Sequence, residues 1–172
     1  MTDDATQVLR ATAHPVRLQM LSLLTGTEMS AAEVARELDL THANASYHLR
    51  LLLDAGQLVV ASEERIRGGV AKRYRHPWDQ RPGSAAPASS QEQREAWSRA
   101  MAAELVRRVG HWAGRPGHFT DAELWVTEED LAAVTAALTE ASTLLHAAAR
   151  PPRSEGTVKV AMTAALFEMK PS

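Results

Sequence analysis

The stretch Thr41–Gly56, THANASYHLRLLLDAG, constrains the chain more than any other. Wound at about 100° per residue, it places Ala45, Leu49, Leu52 and Leu53 on one apolar face. Ala43, Ser46, Tyr47 and Arg50 recur at helical spacing on the opposite face, with Asn44 at its edge and Asp54 its only acid. A small residue, two hydroxyls and a guanidinium make a face that can approach a groove closely, hydrogen-bond to base edges and still touch phosphate. Gly56 stops the helix where a left-handed residue is favoured.

The residues before it strengthen this reading. Ser30-Ala31-Ala32-Glu33 is a capping box, in which side chains of Ser30 and Glu33 satisfy orphan amides reciprocally. Ala31, Val34, Ala35 and Leu38 then carry the apolar period of a short helix ending near Asp39. Asp39-Leu40-Thr41 is a tight break, and Thr41 or His42 is available to cap the next helix. Two short helices so joined, the second with a polar outer face, form a helix-turn-helix pattern. An ordinary helical hairpin in a small bundle shares that pattern.

On the N-terminal side, Asp4 to Ala13 reads as a first helix with Val8 and Leu9 as its apolar positions. His14-Pro15 opens a second, since proline is tolerated in a first turn. Val16, Met20 and Leu23, with Leu18, Leu21 and Leu24, make this helix apolar around much of its circumference, a buried scaffold that Gly26 ends. After Gly56, Leu58 to Glu64 reads as a strand, Gly68-Gly69 as a turn, and Val70 onward as a second strand. A hairpin tipped with arginines directly after a helix-turn-helix is a wing, whose cations reach phosphates. The alternative is a solvated edge hairpin guarded by charge.

Charge supports the wing only because it is local. The net charge is −2, yet Arg65, Arg67, Lys72, Arg73 and Arg75 fall between Arg65 and His76 without an acid. With 172 residues, 45% hydrophobic and 23% charged, the balance is that of a soluble globular protein. No apolar run approaches the ~18 residues of a membrane span, and Met1-Thr2-Asp3-Asp4 is acidic where a signal peptide is basic. A cytoplasmic protein is expected. The chain has no cysteine, which excludes disulfides and thiolate metal sites.

From about Ala5 to His76 the chain resembles the winged-helix domain of ArsR-like bacterial transcriptional regulators. The resemblance is carried by Ala13-His14-Pro15-Val16-Arg17-Leu18 with Leu21 and Leu24, Ala35 and Leu38, Ser46-Tyr47-His48-Leu49-Arg50 with Leu52, and Ala55-Gly56 with Leu58. It implies a homodimer that binds imperfect palindromes in double-stranded DNA as a repressor and releases them on binding an effector. Without cysteine, such an effector is not sensed through thiolates. The base contacts expected in the major groove are His42, Ala43, Asn44, Ser46 and Tyr47. Arg50, Arg65, Arg67, Lys72 and Arg73 are expected on phosphates.

The rest of the chain reads as an extension. Pro77 to Ser90 is rich in Pro, Ser, Gly and Ala and reads as a linker. Ser90-Gln91-Glu92-Gln93 is a second capping box, opening a helix to about Ala113 with Trp97, Met101, Leu105, Val109 and Trp112 along one stripe. That stripe is expected to be a dimer interface, since a palindrome reader needs two copies; packing against its own domain is the alternative. Glu123 to Val126 reads as a short strand, Thr127 as the cap of a helix beginning Glu128-Glu129-Asp130, and Thr157 to Phe167 as another strand. The three acids suit the helix macrodipole. Leu131, Val134, Leu138, Ala141 and Leu145 are expected to be that helix's buried stripe.

The expected architecture is therefore mainly α (α+β): a winged helix-turn-helix domain over residues 1–78, a linker over 79–90, and over 91–172 a dimerisation helix with a strand–helix–strand extension. Trp97, Trp112, Phe119 and Trp125 are candidates to wall an apolar effector pocket. His111 and His118 are the best placed residues for a metal, but they straddle a Gly-Pro-Gly break and no metal or other cofactor is assigned. His48 is expected as a hydrogen-bonded core residue and His14 as a helix-entry residue. No Ser/His/Asp order, phosphate-binding loop or paired carboxylates point to an enzyme. The competing reading is a protein-interaction or small-ligand-binding module that keeps the winged-helix scaffold without an operator.

Overall fold

In the computed structural model, Val8 and residues 11–66, 69–80 and 90–170 are described. Most of the expected first helix and of the 79–90 linker, together with Arg67 and Gly68, lies outside them; Val8, Ala11 and Thr12 are helical. Helix α1 (Pro15–Thr25) starts where His14 turns its side chain onto the chain that follows: Nδ1 accepts the Val16 amide at 3.2 Å. Met20 and Leu24 of α1 are fully buried, which makes this helix the floor on which the next two are mounted.

A two-residue strand, β1 (Met29–Ser30), leads into α2 (Ala31–Glu37). The capping box is closed on both sides, with Ser30 N–H donating to Glu33 Oε2 at 2.7 Å and Glu33 N–H to Ser30 Oγ at 3.3 Å. The break to the next helix is made by Asp39, whose φ of 52° is left-handed, while Leu40 N–H reaches back to the Ala35 carbonyl at 2.8 Å. Thr41 caps α3 (His42–Asp54), accepting the Asn44 amide at 3.2 Å. Gly56, at φ 64°, ends it, with Gln57 N–H bonded to the Leu52 carbonyl at 2.8 Å. Ala45, Leu49 and Leu52 are buried against Met20, Leu24, Val34 and Leu58. Each large side chain in that cluster contributes about 1.5–3 kcal/mol of burial, so tertiary packing holds these short helices in place.

Strands β2 (Val59–Ile66) and β3 (Gly69–Arg75) form the hairpin, and β1 joins β3 to give an antiparallel sheet in the order β1-β3-β2. A bulge between Val60 and Ser62 twists the hairpin beyond its root. Tyr74 packs on the core. His76 closes the unit by bonding its amide to the Leu24 carbonyl at 3.0 Å and its Nδ1 to the Gln57 carbonyl at 2.8 Å.

Helix α4 (Gln91–Val109) begins at the Ser90–Gln93 capping box and ends at Gly110, one turn short of the expected Ala113. It lies against α1, with Ala100 and Glu104 buried. The buried face is thus centred on Ala100 and Glu104, while Leu105, Val109 and Trp112 of the expected stripe are exposed and Trp97 and Met101 are half-buried. Helix α5 (Glu128–Ala147) starts at Thr127 as expected, but none of its residues is buried. The segments 123–126 and 157–167, expected as strands, pair with no strand among the described residues. Both departures have one physical reason: among the described residues no surface covers these apolar faces.

The left-handed turn between α2 and α3 is a sensitive point. Asp39→Val should cost about 1–2 kcal/mol because a β-branched residue resists positive φ, whereas Asp39→Gly should cost nothing. Urea unfolding of the two variants checks this.

Candidate nucleic-acid interface

The polar face of α3 is built as the sequence reading expects. His42, Ala43, Asn44, Tyr47 and Arg50 are exposed and Ser46 is half-buried, while the opposite face supplies the core. Tyr47 is 55% exposed, and its ring meets the edge of His48 with centroids 5.2 Å apart. That contact limits where the phenol can point without hiding its hydroxyl. The first turn of α3, from which base contacts are made in helix-turn-helix proteins, carries His42, Ala43 and Asn44.

On the hairpin, Arg65 lies opposite Val70 and Lys72 opposite Glu63, all four exposed. Neither Arg65 nor Lys72 makes an ion pair among the described residues. Arg73 is different. Its guanidinium donates to Glu33 Oε2 at 3.0 Å and to the Glu28 carbonyl at 2.6 Å, with Glu64 at 3.8 Å. The hydrogen bond from the Ser30 amide chiefly, with Ser30 Oγ and the Arg73 cation helping against burial, holds the Glu33 carboxyl below its ordinary range. Arg73 is accordingly a brace between the wing and the start of α2, not a cation held out for phosphate. Arg75 is likewise turned to Asp79, at 3.3 Å.

Beneath α3 lie two imidazoles. His48 is buried and its ring sits 4.8 Å from that of His14, but its Nδ1 has no hydrogen-bond partner among the described residues, contrary to the expected hydrogen-bonded core histidine. Burial first, then the neighbouring His14 and Arg17, holds His48 below the ordinary imidazole range. Burial and then Arg17 do the same to His14. The neutral form of His14 also suits its capping role, since a protonated Nδ1 could not accept the Val16 amide.

A polar node that sequence reasoning missed joins this unit to α4. The buried Glu104 carboxylate accepts from Gln19 of α1 at 2.7 Å and from Arg107 at 2.8 Å, with Arg108 at 3.5 Å. Arg108 in turn donates to the Met162 carbonyl and to Thr163 Oγ1. Burial opposes ionisation of Glu104, but the hydrogen bonds from Arg107 and Gln19 outweigh it and hold its pKa low. The Glu104–Arg107–Arg108 spacing was a readable signal of an acid with two basic partners; nothing local marked Gln19. Farther along, Arg153 forks onto Glu37, at 2.7 and 3.0 Å.

The other expected sites are not assembled. A cavity of about 130 Å³ is lined by Leu21, His76, Met101, Glu104 and His146 among others, and by none of Trp97, Trp112, Phe119 and Trp125. Trp112 and Phe119 do meet, at 5.6 Å, but Trp125 is 92% exposed. His111 Nδ1 bonds the Arg107 carbonyl, and the described residues contain no group of three or more side chains suited to a metal.

A stability slope follows from the two imidazoles. A group held below its unfolded pKa contributes stability that is present above that value, ~6.5 for histidine, and lost as the pH falls through the folded value. The thermal midpoint should therefore drop between about pH 7 and pH 5, and His48→Gln should flatten that drop. An unchanged slope in the variant would contradict this account of His48.

The helix-turn-helix domain family matches residues 12–60. No curated protein matches the chain. Among solved structures, the chain is similar to the homodimeric winged helix-turn-helix DNA-binding domain (fragment 1–100) of a possible ArsR-family transcriptional regulator from Mycobacterium bovis. Identity is 22%, with 69% of this chain and 89% of that chain covered and a TM-score of 0.37. Residues 12–60 match the helix-turn-helix domain family, and the β2–β3 hairpin follows them directly in the chain, where a wing stands in a winged helix-turn-helix.

Proposed function

We propose that this protein is a dimeric, sequence-specific DNA-binding repressor, not an enzyme, which reads an inverted repeat and is released by an effector that thiolates do not sense. The observation that carries the reading is the division of α3 into a packed apolar face and an exposed face of His42, Ala43, Asn44, Ser46, Tyr47 and Arg50 beside a hairpin with unpaired Arg65 and Lys72. The first five residues read base edges in the major groove. Arg50, Arg65 and Lys72 hold phosphates, and Arg73 keeps the hairpin in place. Residues 1–78 are the DNA-binding unit, 79–90 a linker, and 91–172 the dimerisation part, with Leu105 and Val109 of α4 and Trp112 just beyond it contributing. Two copies set their recognition helices about 34 Å apart, which fixes half-sites ~10 bp apart, centre to centre.

Fluorescence-anisotropy titration separates the two kinds of contact. Tyr47→Ala should cost roughly 1–3 kcal/mol on the preferred duplex and alter base preference, with little effect on random duplex. Lys72→Ala should weaken both duplexes alike and lower the salt slope by about one. Equal losses on both duplexes from both variants would contradict the assignment.

A further inference from the structure

Between Ser90 and Lys170 only Ala100 and Glu104 are buried. The whole chain exposes 12667 Å², whereas a compact monomer of its 18.7 kDa exposes ~8,300 Å². The C-terminal half contributes much of this excess in apolar form: Trp125, Leu124, Phe167, Val158 and Val160 are each at least 60% exposed. Patches of that extent are rare on monomers and mark interaction surfaces.

The backbone points the same way. Residues 113–126 and 158–170 make no backbone–backbone hydrogen bond with any other described residue, and the path from 158 to 170 contains no turn or bend. Val158, Val160, Met162 and Leu166 meanwhile alternate at the spacing of a strand with one apolar face. Apart from the Met162 carbonyl, which Arg108 takes, the backbone donors and acceptors of 158–170 have no partner among the described residues, and such a row beside an apolar face is half of a sheet.

We propose that the missing half is a second copy of this chain, and that two copies pair residues 158–169, flanked by 119–126, into one intermolecular sheet. The proposal rests on the dimeric reading above and assigns its interface. Obligate dimers bury about 2,000–5,000 Å² in total, or about 1,000–2,500 Å² from each chain, and the excess on each chain is large enough to supply that. Identical strands can pair antiparallel about a two-fold axis normal to the sheet, which matches residues of like parity. That places Val158, Val160, Met162 and Leu166 of both copies on one face. The same segment is tied to the DNA-binding unit at its root. Arg153 pairs with Glu37, Arg108 holds Met162 and Thr163, and a Cβ on Gly26 would stand 2.8 Å from the Arg150 carbonyl oxygen. Pairing of the segments thereby sets the distance between the two recognition helices.

The test combines light scattering with hydrogen exchange on the full chain. The wild type should have twice the single-chain mass, with amides of 158–169 exchanging at least about tenfold more slowly than free peptide. Val160→Pro removes a ladder donor, and Val158→Asp places a charge on the shared apolar face; each should lower the mass to one chain with an unchanged helical circular-dichroism signal. Retention of the double mass by both variants, or free exchange of those amides in the dimer, would overturn the proposal while leaving a dimeric reader intact. A wild type of single-chain mass would overturn the proposal and the dimeric reading together.

Discussion

One carboxylate ties the reading head together. Glu33 accepts the Ser30 amide, which fixes where α2 begins, and the Arg73 guanidinium, which fixes where the hairpin stands. Individually the interactions are modest: an N-terminal cap is worth about 1 kcal/mol and a partly exposed ion pair about 0–1 kcal/mol. Their joint effect is geometric. The start of α2, strand β1 and strand β3 meet at this side chain, and α3 is placed by its packing on α2 and α1. A recognition helix and a wing can act on one stretch of DNA only if their relative position is set in advance. Glu33 is where that setting is made.

What could be read from the sequence was what local chemistry determines. The two capping boxes, Thr127 as a cap, Gly56 as a left-handed stop and the two faces of α3 all depend on residues within about two helical turns of one another. The structure bears each of them out. Long-range matters were not legible. Arg73 was one of several wing cations until its partners, forty residues away in the chain, were seen. His48 was recognisable as an inner-face residue, but its missing partner at Nδ1 depends on how α1 and α3 pack. The two-residue β1 is too short to leave any periodicity.

The C-terminal half shows a different kind of illegibility. The apolar stripe of α5 was expected to be buried and the alternation after Thr157 to be a strand, and among the described residues neither is so. Sequence periodicity says that a face must be buried and is silent on which chain buries it. Within one chain the cover is absent among the described residues, and the cavity beside Glu104 is lined by none of Trp97, Trp112, Phe119 and Trp125. Gln19, Glu104 and Arg108 form a chain of polar contacts from α1 through α4 to residue 162. Any change in how the C-terminal half is covered thus bears directly on the helix that supports α3.

The most direct test of the central claim, that α3 and the hairpin form a symmetric sequence reader, is selection from a random duplex pool with the purified full chain at two salt concentrations. The account predicts recovery of an inverted repeat with half-sites ~10 bp apart that persists at the higher salt. Recovery of no sequence, with weak binding abolished by salt, would contradict it and leave an interaction module on a winged-helix scaffold.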